Sequence, residues 1–468
     1  MSITRRIALP CMAFAAAFSS TMAARAEAPL EASKAAAPDG TPSAPTADRW
    51  DFYTTGRIGS FVSWAKGDGM PEAATLDPVT GMERHKVLID AGGSGPGFAS
   101  AYNQQPSNMR VSSIDSIRMR SGFTGNVIGF GARRKLGEST VTGYISMTSV
   151  VDSLSQRKYF QSTPDVREGY LRIEGSWGSF LAGKAGVLFN RGAVTTDFLY
   201  LHGYGVGFPG DLNSVNGFPT AGQIGYGVLA NGFAAGFVYA TPPVAGAQLS
   251  VGVYDPASVT GGSYERTKYP RGEFELTVNE LLGNVGKAHA YFNGGYQINY
   301  HPNLSDAETK AFYGLGYGAR VEFGRFHLGA GGHWGKGLGV TYPGLPGPAT
   351  YDAESNLKMT NGYFVMAQVL VGKFDIDAGF GRTNVTPTAG ELTEDPLGFK
   401  YDHGNGLGVF ADPKNSVLKT QTGISGAVVF HAADWLHFDI DVMHADAEWN
   451  LGERQRILYV NAGTTVTW

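Results

Sequence analysis

The chain has 468 residues, of which 66 are glycine and 12% are aromatic, and its formal net charge is −4. Glycine at about twice its average usage, without long stretches of apolar residues at helical spacing, favours an all-β protein. The mildly acidic charge argues against nucleic acid as a partner. The single cysteine, Cys11, lies in a segment that we expect to be removed, so disulfides and metal-thiolate sites are excluded for the mature chain.

Residues 1–26 have the pattern of a secretory signal peptide. Two arginines precede an apolar stretch from Ile7 to Phe18, and Ala24-Arg25-Ala26 supplies a small-x-small cleavage site. The apolar stretch is shorter than the roughly 20 residues that a membrane-spanning helix needs. Residues 27–48 are rich in alanine and proline and predict a flexible periplasmic tail. Residues 49–468 are then expected to form one domain.

From residue 51 onward, segments with period-two alternation follow one another, separated by turn residues. Such alternation is typical of strands whose two faces meet different environments. We predict sixteen strands on this basis. They cover 51–65, 113–134, 139–151, 166–176, 178–186, 222–241, 247–254, 271–281, 285–300, 310–323, 325–335, 359–372, 374–384, 418–432, 435–448 and 456–468.

The predicted connections alternate in length. Every connection after an even-numbered strand is short, as at Gly324-Arg325 and Gly372-Lys373. The long connections all follow odd-numbered strands, at 66–112, 187–221, 336–358 and 385–417. Short turns on one rim and long loops on the other are typical of bacterial outer-membrane barrels, and a soluble β-sandwich has no reason to sort its loops in this way. We therefore predict an all-β fold, a transmembrane antiparallel β-barrel of about 16 strands in the Gram-negative outer membrane.

The two faces of the predicted strands differ in chemistry. In the last strand, one row of alternate residues runs from Leu458 to Trp468 and is largely apolar, whereas the row that includes Asn461 is polar. Asp375, Asp377, Asp439 and Asp441 likewise oppose apolar rows in their strands. If the apolar rows face lipid, the charged rows face an aqueous lumen, which a barrel of this size is wide enough to hold. Trp468 resembles the terminal aromatic residue by which outer-membrane barrels are recognised for assembly.

Three stretches of the chain resemble the general trimeric porins of Gram-negative bacteria. They are REGYLRIEGSWGSFLAGK at Arg167 to Lys184, MRSGFTG from Met119 and STVTGYISM from Ser139. Gly183-Lys184 stands where the family usually has Gly-Arg, and the C-terminal tryptophan replaces its more usual phenylalanine. The resemblance covers essentially the whole mature chain and implies a homotrimer.

The resemblance also implies a role for residues 187–221, which include Asp197, Tyr200, Tyr204 and Asp211. In the family, the third loop folds into the barrel and narrows it. This chain lacks the usual Pro-Glu-Phe-Gly-Gly tip and has Gly207-Phe208-Pro209-Gly210-Asp211 nearby. The sequence therefore leaves open which acid lines the constriction.

General porins place a ladder of basic residues on the wall opposite the third loop. In this chain Arg57, Arg118, Arg120, Arg172 and Lys184 fall on predicted lumen faces of the first five strands. Acids facing bases create a transverse field that orients and sorts polar solutes. The alternative for each basic residue is an ion pair within the wall, as Arg172 with Glu174 or Arg320 with Glu322 are two residues apart on one face.

The residues offer little catalytic chemistry. His327 and His333 are six residues apart on one predicted strand, roughly 20 Å at strand rise, which is too far to share a metal. The glycine-rich string from Gly314 to Gly318 lacks the strand-helix context of a phosphate-binding loop. We therefore expect neither an enzyme nor a bound metal or cofactor.

The leading hypothesis is a porin, a water-filled channel for passive diffusion of small hydrophilic solutes and ions, embedded in outer-membrane lipid and lipopolysaccharide. The alternative of the same architecture is a substrate-selective porin for sugars or anions, with Tyr200 and Tyr204 as a stacking track. Two other classes are a lipase or protease barrel and a secreted carbohydrate-binding β-protein. The ion selectivity stays open because six predicted lumen acids compete with the basic wall, namely Glu273, Glu275, Asp375, Asp377, Asp439 and Asp441.

Overall fold

A computed structural model of the chain describes thirteen parts of it. They are residues 49–68, 113–120, 126–149, 165–199, 205–207, 219–256, 269–283, 286–300, 309–340, 350, 356–389, 418–449 and 454–468. The expected signal peptide and periplasmic tail, at 1–26 and 27–48, lie outside the described residues.

The described residues form nineteen strands and one short helix. In chain order the elements are β1 Asp51–Asp68, β2 Ser113–Arg120, β3 Asn126–Leu136, β4 Ser139–Ser149, β5 Asp165–Gly175, β6 Gly178–Gly186, α1 Arg191–Thr196, β7 Gly205–Gly207, β8 Pro219–Ala221, β9 Phe233–Ala240, β10 Ala247–Tyr254, β11 Arg271–Leu281, β12 Gly286–Tyr300, β13 Thr309–Phe323, β14 Phe326–Lys336, β15 Met359–Val371, β16 Phe374–Thr386, β17 Leu418–Ala433, β18 Leu436–Trp449 and β19 Arg454–Thr467.

Seventeen of these strands form one closed antiparallel sheet, which is a barrel of sixteen strands. The two numbers differ because β2 and β3 pair with successive halves of β1 and so act as one barrel strand in two pieces. Each further barrel strand pairs with the next one along the chain, β6 pairs with β9, and β19 pairs back with β1. Closure removes the unpaired strand edges that an open sheet would expose. β7 and β8 form a separate two-stranded sheet.

The connections alternate between short turns and long loops, as predicted. Seven connections have two to six residues, at 137–138, 176–177, 241–246, 282–285, 324–325, 372–373 and 434–435. Several of these turns need a left-handed backbone that glycine adopts without steric cost, as at Gly324 with φ 56° and Gly372 with φ 63°. The connections on the opposite rim include 69–112, 187–232 and 387–417.

The strand boundaries agree with the prediction to within a few residues in most of the barrel. One predicted strand differs substantially, because residues 222–232 do not belong to a barrel strand and β9 begins at Phe233. The connection after β6 therefore runs to Gly232 and is longer than the predicted 187–221.

The outward face carries a continuous apolar band. Each of the sixteen barrel strands contributes at least one large exposed apolar side chain: Val62, Ile128, Ile145, Leu171, Phe180, Phe237, Val251, Leu276, Phe292, Leu315, Leu328, Val365, Ile376, Ile424, Ile440 and Leu458. A soluble protein rarely exposes so much apolar surface to water, whereas lipid acyl chains solvate it well. Exposed aromatic residues lie along the short-turn rim, as expected of an interfacial girdle; they include Trp50, Phe52, Trp177, Phe326, Trp435 and Trp468.

Among the described residues, no helix has the length and apolar content required to cross a bilayer.

Candidate functional site

The inward face of the barrel carries many polar side chains beside an apolar cluster that includes Phe61, Phe364 and Val429, and much of this face is buried from β11 to β19. Inward positions of β11, β12, β16, β18 and β19 hold almost fully buried polar side chains, namely Glu273, Glu275, Asn293, Gln297, Asp377, Asp439, Asp441, Gln455, Asn461 and Thr465. Burial of polar groups is costly unless they find partners. Several find them in the connection between β6 and β9, and we call its described residues 187–199 and 222–230 the inner segment.

The first part of the inner segment is attached to β11 and β12. The backbone N–H of Phe189 donates to the Glu273 carboxylate at 2.8 Å, and that of Asn190 donates to the Asn293 side-chain oxygen at 3.1 Å. Arg191 forms an ion pair with Glu275, to which its Nε donates at 2.9 Å. Two of the six acids that the sequence placed in the lumen therefore hold this segment.

Helix α1 follows directly and contacts β12, β13 and β14. Asn190 precedes it with φ 61°, a left-handed conformation that asparagine tolerates better than most residues. The Arg320 guanidinium donates to the Thr195 carbonyl at 2.8 Å, near the end of the helix, and also lies 3.1 Å from Glu322. Arg320 therefore forms the predicted ion pair with Glu322 and also stabilises the end of α1.

Asp197 joins the two parts of the inner segment. Its carboxylate accepts hydrogen bonds from the backbone N–H of Leu199 at 3.1 Å and of Gln223 at 2.6 Å. The side chain is fully buried, with 0% exposure. The predicted constriction acid thus lies within the packing, where it satisfies two backbone donors.

The second part of the inner segment, residues 222–230, packs against β15, β16 and β17. Gly227 donates its N–H to the Thr383 hydroxyl at 2.8 Å and accepts from the His333 ring at 3.2 Å. The Gln223 side chain donates to the Ser425 hydroxyl. Burial raises the pKa of Tyr226 well above its ordinary value. These contacts explain why residues 222–230, which were predicted to be part of a barrel strand, are instead buried inside the barrel.

Glycines in the barrel wall make room for the inner segment. A Cβ at Gly314 would lie 2.5 Å from the Phe189 ring, and one at Gly381 would lie 1.8 Å from the Tyr226 carbonyl oxygen. Similar close approaches occur where Gly316 meets Asn190, Gly329 meets Thr196 and Gly423 meets Tyr226. The sequence signal for this arrangement is the recurrence of glycine at alternate, inward positions of β13 to β17.

Two of the five predicted basic wall residues have inward side chains. Arg57 is buried, with 4% exposure. Arg172 is half-buried and forms the ion pair with Glu174 at 2.9 Å that the sequence offered as an alternative. The backbone positions of Arg118 and Arg120 pair with Ser63 and Phe61 on the inward side of β1.

Lys184 contradicts the predicted lumen position. It lies on the face of β6 that carries the exposed Phe180, and its register partner on β9, Ala235, is also exposed. Its ammonium donates to the Val166 carbonyl at 2.7 Å. The prediction failed because alternation along β6 alone, a strand of small residues, does not distinguish its two faces.

A row of three tyrosines on the inward face was missed by the sequence analysis. Tyr53 and Tyr144 stack with ring centroids 6.4 Å apart, and Tyr144 and Tyr170 are 5.5 Å apart. The Arg133 guanidinium lies 5.7 Å from the centre of the Tyr53 ring. These rings come from β1, β4 and β5, so their proximity depends on strand register, which cannot be read from a single sequence.

The other predicted site residues divide into two groups. Tyr200, Tyr204 and Asp211 lie outside the residues whose side chains are described. Trp468 is the residue at which β19 meets β1, and it exchanges two backbone hydrogen bonds with Gly56, at 2.9 and 3.0 Å. Its role as an assembly signal stays a prediction.

Among the described residues, no group of three or more histidine, cysteine, aspartate or glutamate side chains is arranged to hold a metal ion. His327 and His333 each bond elsewhere, to Gln368 at 2.7 Å and to the Gly227 carbonyl.

No protein-family model matches the chain. No curated protein matches it. Solved structures do: the outer membrane channel DcaP of Acinetobacter baumannii has a TM-score of 0.58 and 12% identity, over 91% of this chain and 100% of that chain. The anion-selective porin from Comamonas acidovorans has a TM-score of 0.52 and 10% identity, over 90% and 100%. At these identities the similarity is one of fold, and the fold is that of outer-membrane channel barrels.

Proposed function

We propose that this chain is an outer-membrane porin that forms a water-filled channel for passive diffusion of small hydrophilic solutes and ions. The observation that carries the proposal is the contrast between the two faces of one closed barrel. Every strand presents an apolar side chain outward, whereas the inward positions of β11, β12, β16, β18 and β19 hold polar and charged side chains beside an apolar cluster that the inner segment covers. A barrel of sixteen strands with such faces is stable in a bilayer and wide enough to hold water.

The passage for solutes lies along the wall made by β3, β4 and β5. The inner segment covers the inward faces of β11 to β17, where wall residues are almost fully buried. On β4 and β5 the inward residues Tyr144, Tyr170 and Arg172 are only half-buried. The undescribed remainder of the connection, with Tyr200, Tyr204 and Asp211, would narrow this passage in the manner that the resemblance implies.

A planar bilayer experiment tests the proposal directly. The purified protein, added at nanomolar concentration, should produce stepwise conductance increases that scale with salt concentration. A membrane fractionation of cells that express the native chain should place it with the outer membrane. Recovery of the folded protein from the soluble fraction, or a reconstituted protein without conductance steps, contradicts the proposal.

The second candidate is a substrate-selective porin of the same architecture, and the tyrosine row favours it. Aromatic rings stack on sugar rings, and the adjacent Arg133 and Arg172, which Asp51 and Glu174 hold in place, can donate hydrogen bonds to a solute. A solute that binds there should interrupt the single-channel current, and Tyr144→Leu should shorten the interruptions. Ohmic currents that sugars and organic anions leave unblocked argue for the non-selective channel.

We further propose a homotrimer in contact with outer-membrane lipid and lipopolysaccharide. The resemblance to general porins supports the trimer. Conductance steps that occur in groups of three, together with the mass of the detergent complex, distinguish a trimer from a monomer.

A further inference from the structure

Two histidines face each other at the short-turn end of the lumen. His431 of β17 and His437 of β18 are register partners on the inward face, close to the turn at 434–435. Their Nδ1 atoms are 2.8 Å apart, and their ring centroids are 4.7 Å apart with nearly perpendicular planes. A direct contact between two imidazole nitrogens requires that one donates a proton and the other offers a lone pair.

A carboxylate fixes the orientation of the first ring. Asp375 of β16 lies 2.8 Å from the Nε2 atom of His431 through its Oδ2. Because an ionised carboxylate only accepts, Nε2 of His431 carries a proton, and in the neutral ring Nδ1 then carries the lone pair. This lone pair points at His437. The arrangement has the carboxylate–histidine geometry that orients metal-binding imidazoles.

The surroundings of the pair favour a cation. Asp377 and Asp439 follow on the same inward rows of β16 and β18. Two basic groups lie on elements around the pair: Lys373, whose ammonium donates to the Ala432 carbonyl at the rim, and the inward Arg57 of β1, which β19 separates from β18. The side chains of His431 and Asp375 are 33% and 18% exposed, so water and ions reach them from the lumen.

We propose that His431 and His437 together bind one divalent transition-metal ion of the zinc, nickel or copper class at the short-turn mouth of the channel. Imidazole nitrogen is a favoured ligand of these metals. Two nitrogens bound to one ion at about 2.0–2.1 Å lie roughly 3.3 Å apart, so the rings need to separate by about half an ångström from their present contact. The proton that His437 donates moves to its Nε2, and water completes the coordination.

The proposed site has two protein ligands, whereas a structural zinc centre usually has four. Asp375 is hydrogen-bonded to the distal nitrogen of His431 and so orients a ligand without being one. With open positions on the ion, binding is reversible. A bound divalent ion also adds positive charge beside an acidic wall, which reduces cation flux through that mouth.

Copper binding to the full chain, purified in detergent without a histidine tag, tests the proposal independently of channel activity. Titration calorimetry with Cu²⁺ or Zn²⁺ should give one site per chain, and the electron paramagnetic resonance spectrum of the Cu²⁺ form should show two coordinating nitrogens. His437→Gln and His431→Gln should each abolish this site. Asp375→Asn should weaken it by about 10- to 100-fold, the usual effect of losing an orienting partner.

His444→Gln is the matched control. This histidine lies on the same strand as His437 but on the outward face, paired with Ile424 and Leu458. It should leave the stoichiometry and affinity unchanged. Equal metal binding by wild type and His437→Gln, or an equal loss in His444→Gln, overturns the proposal.

Acidity provides a second readout on the same site. Protons compete with the metal for the two imidazoles, so the affinity should be lower in acid than at neutral pH. The charged groups on the strands around the pair are Asp375 and Asp377 from β16, Asp439 from β18, Arg57 from β1 and Lys373 at the rim. Metal affinity that is unchanged between pH 8 and pH 5 contradicts coordination by these imidazoles.

Discussion

Gly56 and Trp468 form the hydrogen-bonded pair at which the last strand closes onto the first. The Gly56 N–H donates to the Trp468 carbonyl at 2.9 Å, and the Trp468 N–H donates back at 3.0 Å. The indole covers Gly56 so closely that a Cβ there would lie 2.0 Å from a ring carbon. The barrel therefore closes where glycine, which has no side chain, pairs with tryptophan, which has the largest one.

The contact predicts that Gly56→Ala destabilises the folded barrel. The added methyl group displaces the indole, and because Trp468 is 41% exposed the cost should fall at the low end of the range of about 1–3 kcal/mol that overpacking costs in a core. Thermal or urea unfolding of the detergent-solubilised protein measures the change. Gly143→Ala is the control, since a Cβ at Gly143 meets nothing within 4 Å. If both variants unfold at the same midpoint, the close packing at Gly56 does not contribute to stability.

The Arg191–Glu275 pair predicts a larger effect on the channel. Arg191→Met leaves the Glu275 carboxylate, whose side chain is 2% exposed, without its cationic partner. Removal of one partner from a buried pair costs about 3–5 kcal/mol. The inner segment should loosen, with lower stability and noisier single-channel conductance of altered amplitude.

Lys419→Met provides the comparison for that variant. Lys419 pairs with Glu448 at 2.7 Å, but its side chain is 49% exposed. Exposed pairs contribute less than about 1 kcal/mol, so both stability and conductance should stay close to wild type. If Arg191→Met has the conductance and current noise of the wild type, the inner segment does not depend on this ion pair.

Asp197 is predicted to matter for stability and not for ion selectivity. Asp197→Ala removes the acceptor for two buried backbone donors, and each unsatisfied donor costs about 1–3 kcal/mol. Because the carboxylate is fully buried, the reversal potential in a salt gradient should not move. A large shift of that potential in a stably folded Asp197→Asn variant would place the carboxylate in the ion path.

The double variant Arg118→Ser with Arg120→Ser should lower the permeability of anions relative to cations. Both backbone positions lie on the inward side of the barrel by their pairing with β1, and we therefore expect the two arginines to contribute positive charge along the passage. The reversal potential in a KCl gradient measures the change. Lys184→Ser removes the same type of charge from the outward face and should leave the potential unchanged. Identical potentials in all three proteins would exclude the two arginines from the pore wall.

The strand count and the alternation of turns and loops were predictable from the sequence because each depends on local patterns. Alternation assigns residues to one face of a strand or the other, and turn residues mark where each strand begins and ends. The same rule misplaced residues 222–232. Ile224, Tyr226 and Val228 alternate like a lipid-facing row, but alternation shows that one side is apolar without showing what covers it.

The site was less predictable than the barrel because it depends on contacts between distant strands. Asp197 was identified as a loop acid, yet its partners, the N–H groups of Leu199 and Gln223, gave no sequence signal. The tyrosine row and the His431–His437 pair depend on register across neighbouring strands. For Lys184, the small residues around it left its face undetermined.

The inward glycines of β13 to β17 have one more consequence. Where they recur, the wall has a backbone surface with no side chains to fill the space that the inner segment now occupies. Excision of that segment would leave a bore wider than sixteen strands lined by ordinary residues would enclose. A variant without that segment is thus a scaffold for an engineered pore that passes larger solutes than the native channel.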